Sequence, residues 1–250
     1  MDKRGKFVIV DGLDGVGKGE VIRAIVEYEQ GCGRSIFDVN SWWGTDLSVL
    51  PLRDYNPRVK EIVDDPLIVT SEPMFAGVGR RIRLEYIYRN TRDYDPRVIA
   101  EAYALDRHEL YTTTIVPFLE LGLDIIQSRG IITSLVYQIF DSQSRSAVGI
   151  TIDELLALPG NAYAMRFAPS LLIIPTVLDF DLLQQRLALR EKKDNAIFES
   201  VEFQRQLKPV YESAWLRELF ENAGSKVAYL DAGMSVEETR RQAVELWKME

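Results

Sequence analysis

The stretch Phe7-Val-Ile-Val-Asp-Gly-Leu-Asp-Gly-Val-Gly-Lys-Gly-Glu20 places three glycines, Gly12, Gly15 and Gly17, directly before Lys18. Glycines let the backbone curl until successive N–H groups converge on one anion, and the lysine adds a full positive charge. A helix beginning there contributes its own partially positive N-terminus. Gly12-x-x-x-x-Gly17-Lys18 therefore reads as a phosphate-binding loop, with Leu13, Asp14, Val16, Gly19 and Glu20 as further residues expected around bound phosphates. The last motif position is Gly19 where Ser or Thr is expected, so the hydroxyl that normally reaches Mg²⁺ is missing while the phosphate cradle is kept.

Other residues could do matching chemistry. Glu72 ends an apolar run and precedes Pro73, which fixes the exit angle of the chain. A carboxylate there faces a ligand, to bind a sugar hydroxyl or orient a cation, or else caps the next helix. Asp14, beside bound phosphates, is costly unless it accepts from a hydroxyl such as that of a ribose, or bonds its own turn. Tyr103 and Arg107, four apart, share one helix face and could stack on and hydrogen-bond a nucleobase, although a tyrosine at that spacing also suits a core. Arg129 follows a strand and precedes Gly130, a placement that lets its fork grip a phosphate. Ser134, Tyr137 and Gln138 offer hydrogen-bonding groups one turn apart. Arg190, Lys192 and Lys193 form a basic run that is either a solvated face or a segment closing positive charge over phosphates.

Alternating strands and helices must position these groups. The pattern predicts strands at Phe7–Val10, Ser35–Asn40, Pro66–Thr70, Leu123–Gln127, Ser170–Pro175 and Lys226–Leu230. It predicts helices from Glu20 to about Tyr28, Val78–Tyr88, Val98–Leu121, from Thr133 to Phe140, Ile150–Leu158, Asp179–Leu189, Val201–Phe220 and Val236–Met249, with an irregular excursion over 41–65. Such alternation gives an α/β fold, a mostly parallel sheet of five core strands with helices on both faces, and ligands bind at the C-terminal ends of its strands. The phosphate loop, Thr70-Ser-Glu-Pro73 and Gln127-Ser-Arg129 all fall at those ends.

Composition narrows the class. A 250-residue chain supports one domain over 1–250, and 46% hydrophobic with 27% charged residues is the balance of a soluble globular protein. The formal charge of −8 argues against broad nucleic-acid binding. Cys32 and His108 stand alone, which leaves no intramolecular disulfide and no cysteine zinc site. No apolar run is long enough to span a membrane, and no signal-type core follows Met1-Asp-Lys-Arg, so a cytoplasmic protein is expected.

The motifs together resemble the thymidylate kinase family of P-loop nucleoside monophosphate kinases. Phe7 to Lys18 is similar to the family's Phe-x-x-x-Glu-Gly-x-Asp-Gly-x-Gly-Lys, and Thr70-Ser-Glu-Pro-Met-Phe-Ala-Gly-Val-Gly-Arg-Arg-Ile-Arg83 to its Thr-Arg-Glu-Pro-Gly-Gly-Thr stretch with the basic helix after it. Tyr103-Ala-Leu-Asp-Arg107 resembles Phe-Ala-x-Asp-Arg, and Ser128-Arg-Gly-Ile-Ile-Thr-Ser-Leu-Val-Tyr-Gln138 resembles Asp-Arg-Tyr-x-x-Ser-x-x-Ala-Tyr-Gln. Gly19, Ser71 and Ser128 depart from those patterns, and the 41–65 insertion has no counterpart in the compact members.

The resemblance implies a three-layer α/β/α P-loop fold with a lid at about 188–199. It implies transfer of the γ-phosphoryl of ATP to dTMP, with Mg²⁺ held mainly by phosphates and water. Lys18, Arg129 and Arg190 would be catalytic, with Lys192 on ATP. Asp14 and Glu72 would lie against the sugar, and Tyr103, Arg107, Ser134, Tyr137 and Gln138 around the base. A cytoplasmic homodimer without membrane or nucleic-acid partners is implied as well. A kinase for another deoxynucleoside monophosphate, or a nucleotide-binding module impaired in catalysis, remains the alternative.

Overall fold

The computed structural model describes residues 4–88, 94–145, 149–188 and 201–250. Six strands form one sheet: β1 (Phe7–Val10), β2 (Ile36–Asp38), β3 (Leu67–Ser71), β4 (Ile125–Ser128), β5 (Leu171–Thr176) and β6 (Lys226–Asp231). Their order is β2-β3-β4-β1-β5-β6, and every pairing is parallel. The central strands are mostly apolar and buried up to their C-terminal ends because helices lie on both sides of the sheet. The strand count exceeds the expected five by the short edge strand β2, which pairs with β3 from Ile36↔Leu67 to Asp38↔Val69.

The register decides where the chemistry gathers. Val10 and Ser71 both align with Ser128, so β1, β3 and β4 end on one level. The chain leaves those three ends through the glycine loop, Glu72 and Arg129. The first helix, α1 (Lys18–Gly31), starts directly at the loop lysine.

The chain continues through α2 (Val39–Trp43), α3 (Gly77–Arg81), α4 (Pro96–Leu110), α5 (Val116–Glu120), α6 (Ile131–Thr133), α7 (Ile139–Arg145), α8 (Ile152–Ala157), α9 (Pro159–Arg166), α10 (Phe180–Ala188), α11 (Val201–Tyr211), α12 (Ala214–Asn222) and α13 (Val236–Met249). Among the described residues three π segments continue or interrupt helices: Ile82–Tyr88 after α3, Tyr111–Ile115 between α4 and α5, and Ser134–Gln138 between α6 and α7. Such widened turns are rare and cluster at functional sites. The long helix expected over 98–121 is therefore α4, a π turn and α5. The helix expected over 201–220 ends at Tyr211 and resumes at Ala214.

Pro159-Gly160, directly after the helix expected over Ile150–Leu158, begins α9, because proline suits the first helical turn. Gly160 is needed there, since a Cβ would lie 1.7 Å from the Ala104 carbonyl oxygen. The excursion over 41–65 is partly ordered, with α2 capped by Asp38 and a 3₁₀ turn at Val59–Glu61. Trp43 is wholly buried and donates to Tyr55 O at 3.1 Å, while Arg53 lies over the Trp42 ring at 4.0 Å, so both tryptophans pack. Among the described residues no helix is long and apolar enough to cross a membrane.

Candidate active site

The glycine loop folds as its sequence demands. Gly15 and Gly17 have φ of 79° and 105°, conformations L side chains resist. At Gly15 a Cβ would also stand 2.9 Å from Leu187 of α10. Leu13 and Val16 are buried and anchor the loop from below. Lys18 Nζ donates to the carbonyls of Gly12 at 2.8 Å and Leu13 at 2.6 Å, and lies 3.7 Å from Asp14 Oδ1. The Glu20 side chain turns away to Arg23 and to Arg240 of α13, leaving its backbone, bonded to Gly17 O, as its link with the loop.

Arg129 stands beside this loop. Its φ of 65° is left-handed, a strain that persists where the surroundings over-determine the backbone. Here they do: Arg129 N–H donates to Val10 O at 3.0 Å, and the next N–H, of Gly130, donates to Asp11 Oδ2 at 3.0 Å. The guanidinium pairs with Asp14 Oδ1, donates to Thr133 Oγ1 at 3.4 Å and lies 5.7 Å from the Tyr137 ring centre. Although burial works against its charge, Asp14 holds Arg129 well above the usual arginine range. Asp14 Oδ2 also accepts from Tyr137 OH at 3.2 Å.

Next to Arg129 a pocket opens between helices, lined by Tyr86, Pro96, Ile99, Tyr103, Thr133, Tyr137, Gln138 and Asp141. It is narrow, aromatic on several sides, and holds a few polar groups, a form suited to a flat ring. Gln138 Oε1 is buried without a hydrogen-bond partner, an atom that costs free energy until a ligand satisfies it. Burial pushes the Tyr103 hydroxyl up to about 12, against the pull of Arg129 and Arg83. Arg83 itself, buried against Phe75 at 3.7 Å and donating to Pro73 O at 2.9 Å, is pulled down to about 10 by burial and stays charged at neutral pH.

Three residues expected to touch a ligand sit behind this pocket wall. Arg107 is 1% exposed and bonds within the protein: it pairs with Glu72 Oε2 at 2.7 Å, donates to Ser134 Oγ at 3.1 Å, and donates to Asn161 Oδ1, while its buried Nε has no hydrogen-bond partner. Glu72 also accepts from Gln127 Nε2 at 3.0 Å, and burial raises it above the usual carboxylate range despite Arg107. Glu72, Arg107 and Ser134 thus form one buried polar network behind the pocket wall. Its members reach one another because β3, β4, α4 and α9 converge there. Arg190 and Lys192 lie outside the described residues.

Several residues were missed. Tyr86, Thr133 and Asp141 line the pocket; no motif marks Tyr86 or Asp141, whereas Thr133 stands at the Ser position of the Asp-Arg-Tyr-x-x-Ser pattern. Asp11 is fully buried and accepts from Gly12 N, Gly130 N, Thr133 N, Thr133 Oγ1 and Tyr211 OH. An acid between a buried strand and the first loop glycine was a usable signal for it. Gln204 and Tyr211, far along the chain, gave none.

The donor set for a divalent ion is sparse. Gly19 has no side chain, although a Cβ there would meet nothing within 4 Å, and Asp11 is saturated by protein donors. Among the described residues no three His, Cys, Asp or Glu gather as ligands. Mg²⁺ would therefore enter on phosphate oxygens and water, which suits its reluctance to dehydrate.

This arrangement can hold one phosphate chain on a loop, a second anion on Arg129 and a flat ring beside Tyr103. The probable thymidylate kinase of Pyrobaculum calidifontis is 29% identical over 207 residues, 82% of this chain and 80% of its own. That of Pyrococcus abyssi is 27% identical over 252 residues, covering 99% of this chain and 98% of its own. The thymidylate kinase of Caldicellulosiruptor saccharolyticus is 26% identical over 207 residues, 82% and 80% of the two chains. The sequence model described as thymidylate kinase matches residues 58–243, and on that match, which spans well over half of its length, the chain belongs to the thymidylate kinase family.

Proposed function

We propose that the protein transfers the γ-phosphoryl group of ATP to the 5′-phosphate of dTMP, giving ADP and dTDP. The observation that carries this is the placement of Arg129 between the glycine loop on one side and the Tyr103–Gln138 pocket on the other. An arginine in that position aligns an acceptor phosphate with a donor phosphate chain.

In this reading the loop amides and Lys18 hold the donor, Lys18 leaving its carbonyl partners for phosphate oxygens. Arg129 holds the acceptor phosphate. Asp14 accepts from the sugar hydroxyl, Tyr103 packs on the base, and Tyr137 and Gln138 bound its edge. An acceptor phosphate oxygen attacks the γ-phosphorus in line, and the bond to the β–γ bridging oxygen breaks as ADP leaves. The acceptor is already anionic, so no general base is needed and catalysis is alignment plus charge stabilisation. Arg190 and Lys192 are assigned, from the family pattern, to charge stabilisation over the transferring group. Mg²⁺, when bound on the nucleotide, screens the phosphate charge.

The test is an ADP-release assay across a panel of deoxynucleoside monophosphates with and without Mg²⁺. Turnover selective for dTMP and lost in Lys18→Ala supports the assignment. Preference for another acceptor moves it to that nucleotide, and a flat signal with tight nucleotide binding replaces it with a binding module. The same reading places the protein in the cytoplasm as a homodimer. Val98 and Leu105, 46% and 56% exposed and seven residues apart on α4, are outward apolar side chains in its support, and sedimentation velocity tests the dimer.

A further inference from the structure

Two side chains on α11 reach the two acids of the glycine loop. Gln204 and Tyr211 are seven residues apart, two helical turns, so they share one face. Gln204 is fully buried and grips Asp14 with both ends of its amide. Its Oε1 accepts from the Asp14 N–H at 2.8 Å, and its Nε2 donates to Asp14 Oδ2 at 3.4 Å. The same Nε2 lies 3.2 Å from the hydroxyl of Tyr137, on the pocket wall. Two turns on, Tyr211 OH donates to Asp11 Oδ1 at 3.0 Å.

Each acid passes its position to Arg129. Asp14 pairs with the guanidinium itself. Asp11 fixes the backbone that follows, through Gly130 N at 3.0 Å and Thr133 N at 3.2 Å. The contacts favour the acceptor side over the donor side. The Asp14 amide is spent on Gln204 rather than aimed at a phosphate, and both chains of contact end at Arg129 or Tyr137.

We propose that Gln204 and Tyr211 are positioning residues for the acceptor nucleotide: α11 sets the two loop acids, and the acids set Arg129. This rests on the reading of the protein as a dTMP kinase. Removing Gln204 loosens Asp14 at its N–H and its carboxylate, and removing the Tyr211 hydroxyl loosens Asp11, so the arginine they orient shifts and affinity for the acceptor falls while the other loop amides remain for the donor.

Gln204→Leu and Tyr211→Phe in the full chain, alone and with Asp14→Asn, test this by steady-state kinetics for both substrates, calorimetric dTMP affinity and thermal melting. The expected result is a rise of about tenfold in KM and Kd for dTMP. KM for ATP stays within about twofold, and Gln204→Leu has almost no further effect on the Asp14→Asn background. A lowered melting temperature with unchanged dTMP affinity, or an equal rise in both KM values, overturns the proposal. Should Gln204→Leu fail to fold, Tyr211→Phe, which removes one oxygen and keeps the ring, decides by the same measures. If the unmodified protein binds dTMP without phosphorylating it, the kinase reading falls and the Kd comparison still judges the positioning role. If it does not bind dTMP, both fall.

Discussion

Asp14 and Arg129, 115 residues apart in the chain, form a partly buried salt bridge where the glycine loop meets the end of β4. The acid of the donor loop thus holds the arginine assigned to the acceptor phosphate, and the two halves of the site are set against each other before any nucleotide arrives. Holding reactants in register in this way is where most of the rate of an in-line phosphoryl transfer originates.

Arg129→Lys keeps the charge and discards the fork. A lysine cannot both meet Asp14 and bind two phosphate oxygens in the same plane. Steady-state kinetics should show kcat/KM for dTMP reduced by about a hundredfold or more, with KM for ATP nearly unchanged.

Arg107→Met separates stability from recognition. Removing Arg107 leaves Glu72, Ser134 and Asn161 without a shared partner in a buried place, a loss of about 3–5 kcal/mol in urea unfolding. The protein that remains folded should bind dTMP with little change in Kd. A large loss of dTMP affinity in well-folded variant would put Arg107 back in contact with the base.

Asp106 gives a pH dependence with a defined sign. Burial, and then the nearby Glu72 carboxylate, push it up to about 8, against the Met74 N–H and the guanidiniums of Arg107 and Arg83. Its folded value lies above its unfolded value of about 4, so the native state holds the proton more tightly. Its contribution is complete below about pH 4 and is lost as pH rises through about 8. Stability of the unmodified protein should fall relative to Asp106→Asn across that window, by at most about 1.4 kcal/mol per pH unit. Urea unfolding at a series of pH values checks this, and parallel curves for the two proteins would falsify it.

Gly19→Ser should be tolerated, since a Cβ there meets nothing within 4 Å. Relief of glycine's helical entropy cost should raise stability by roughly half a kcal/mol. The new hydroxyl should tighten Mn²⁺ binding to the ATP complex, read by paramagnetic relaxation. Unchanged Mn²⁺ affinity would show that residue 19 does not face the metal.

Gly79→Ala tests the packing beneath the pocket. Its Cβ would lie 2.3 Å from Met74 N and 2.4 Å from Asp106 Oδ1, and neither backbone nor buried acid can yield cheaply. A loss of about 1–3 kcal/mol is expected in urea unfolding.

The amino-acid sequence alone determined the features written in consecutive residues. Phe7 to Lys18 spells strand, glycine turn and helix start, and Arg129 follows its strand at once, so local backbone preference and hydrophobic periodicity place both at the C-terminal edge of a parallel sheet. Tyr103 and Gln138 could be placed near that edge through their helices. Only the tertiary structure decided which of these groups face each other. Arg107 shares a helix face with Tyr103 by spacing, yet α9 brings Asn161 and the end of β3 brings Glu72 to bond it. Gln204 carried no signal, because its meaning depends on α11 crossing the glycine loop 190 residues earlier in the chain. Local propensity acts over a few residues, whereas partners across the sheet are chosen by how helices pack and by the cost of leaving a buried polar atom unmatched.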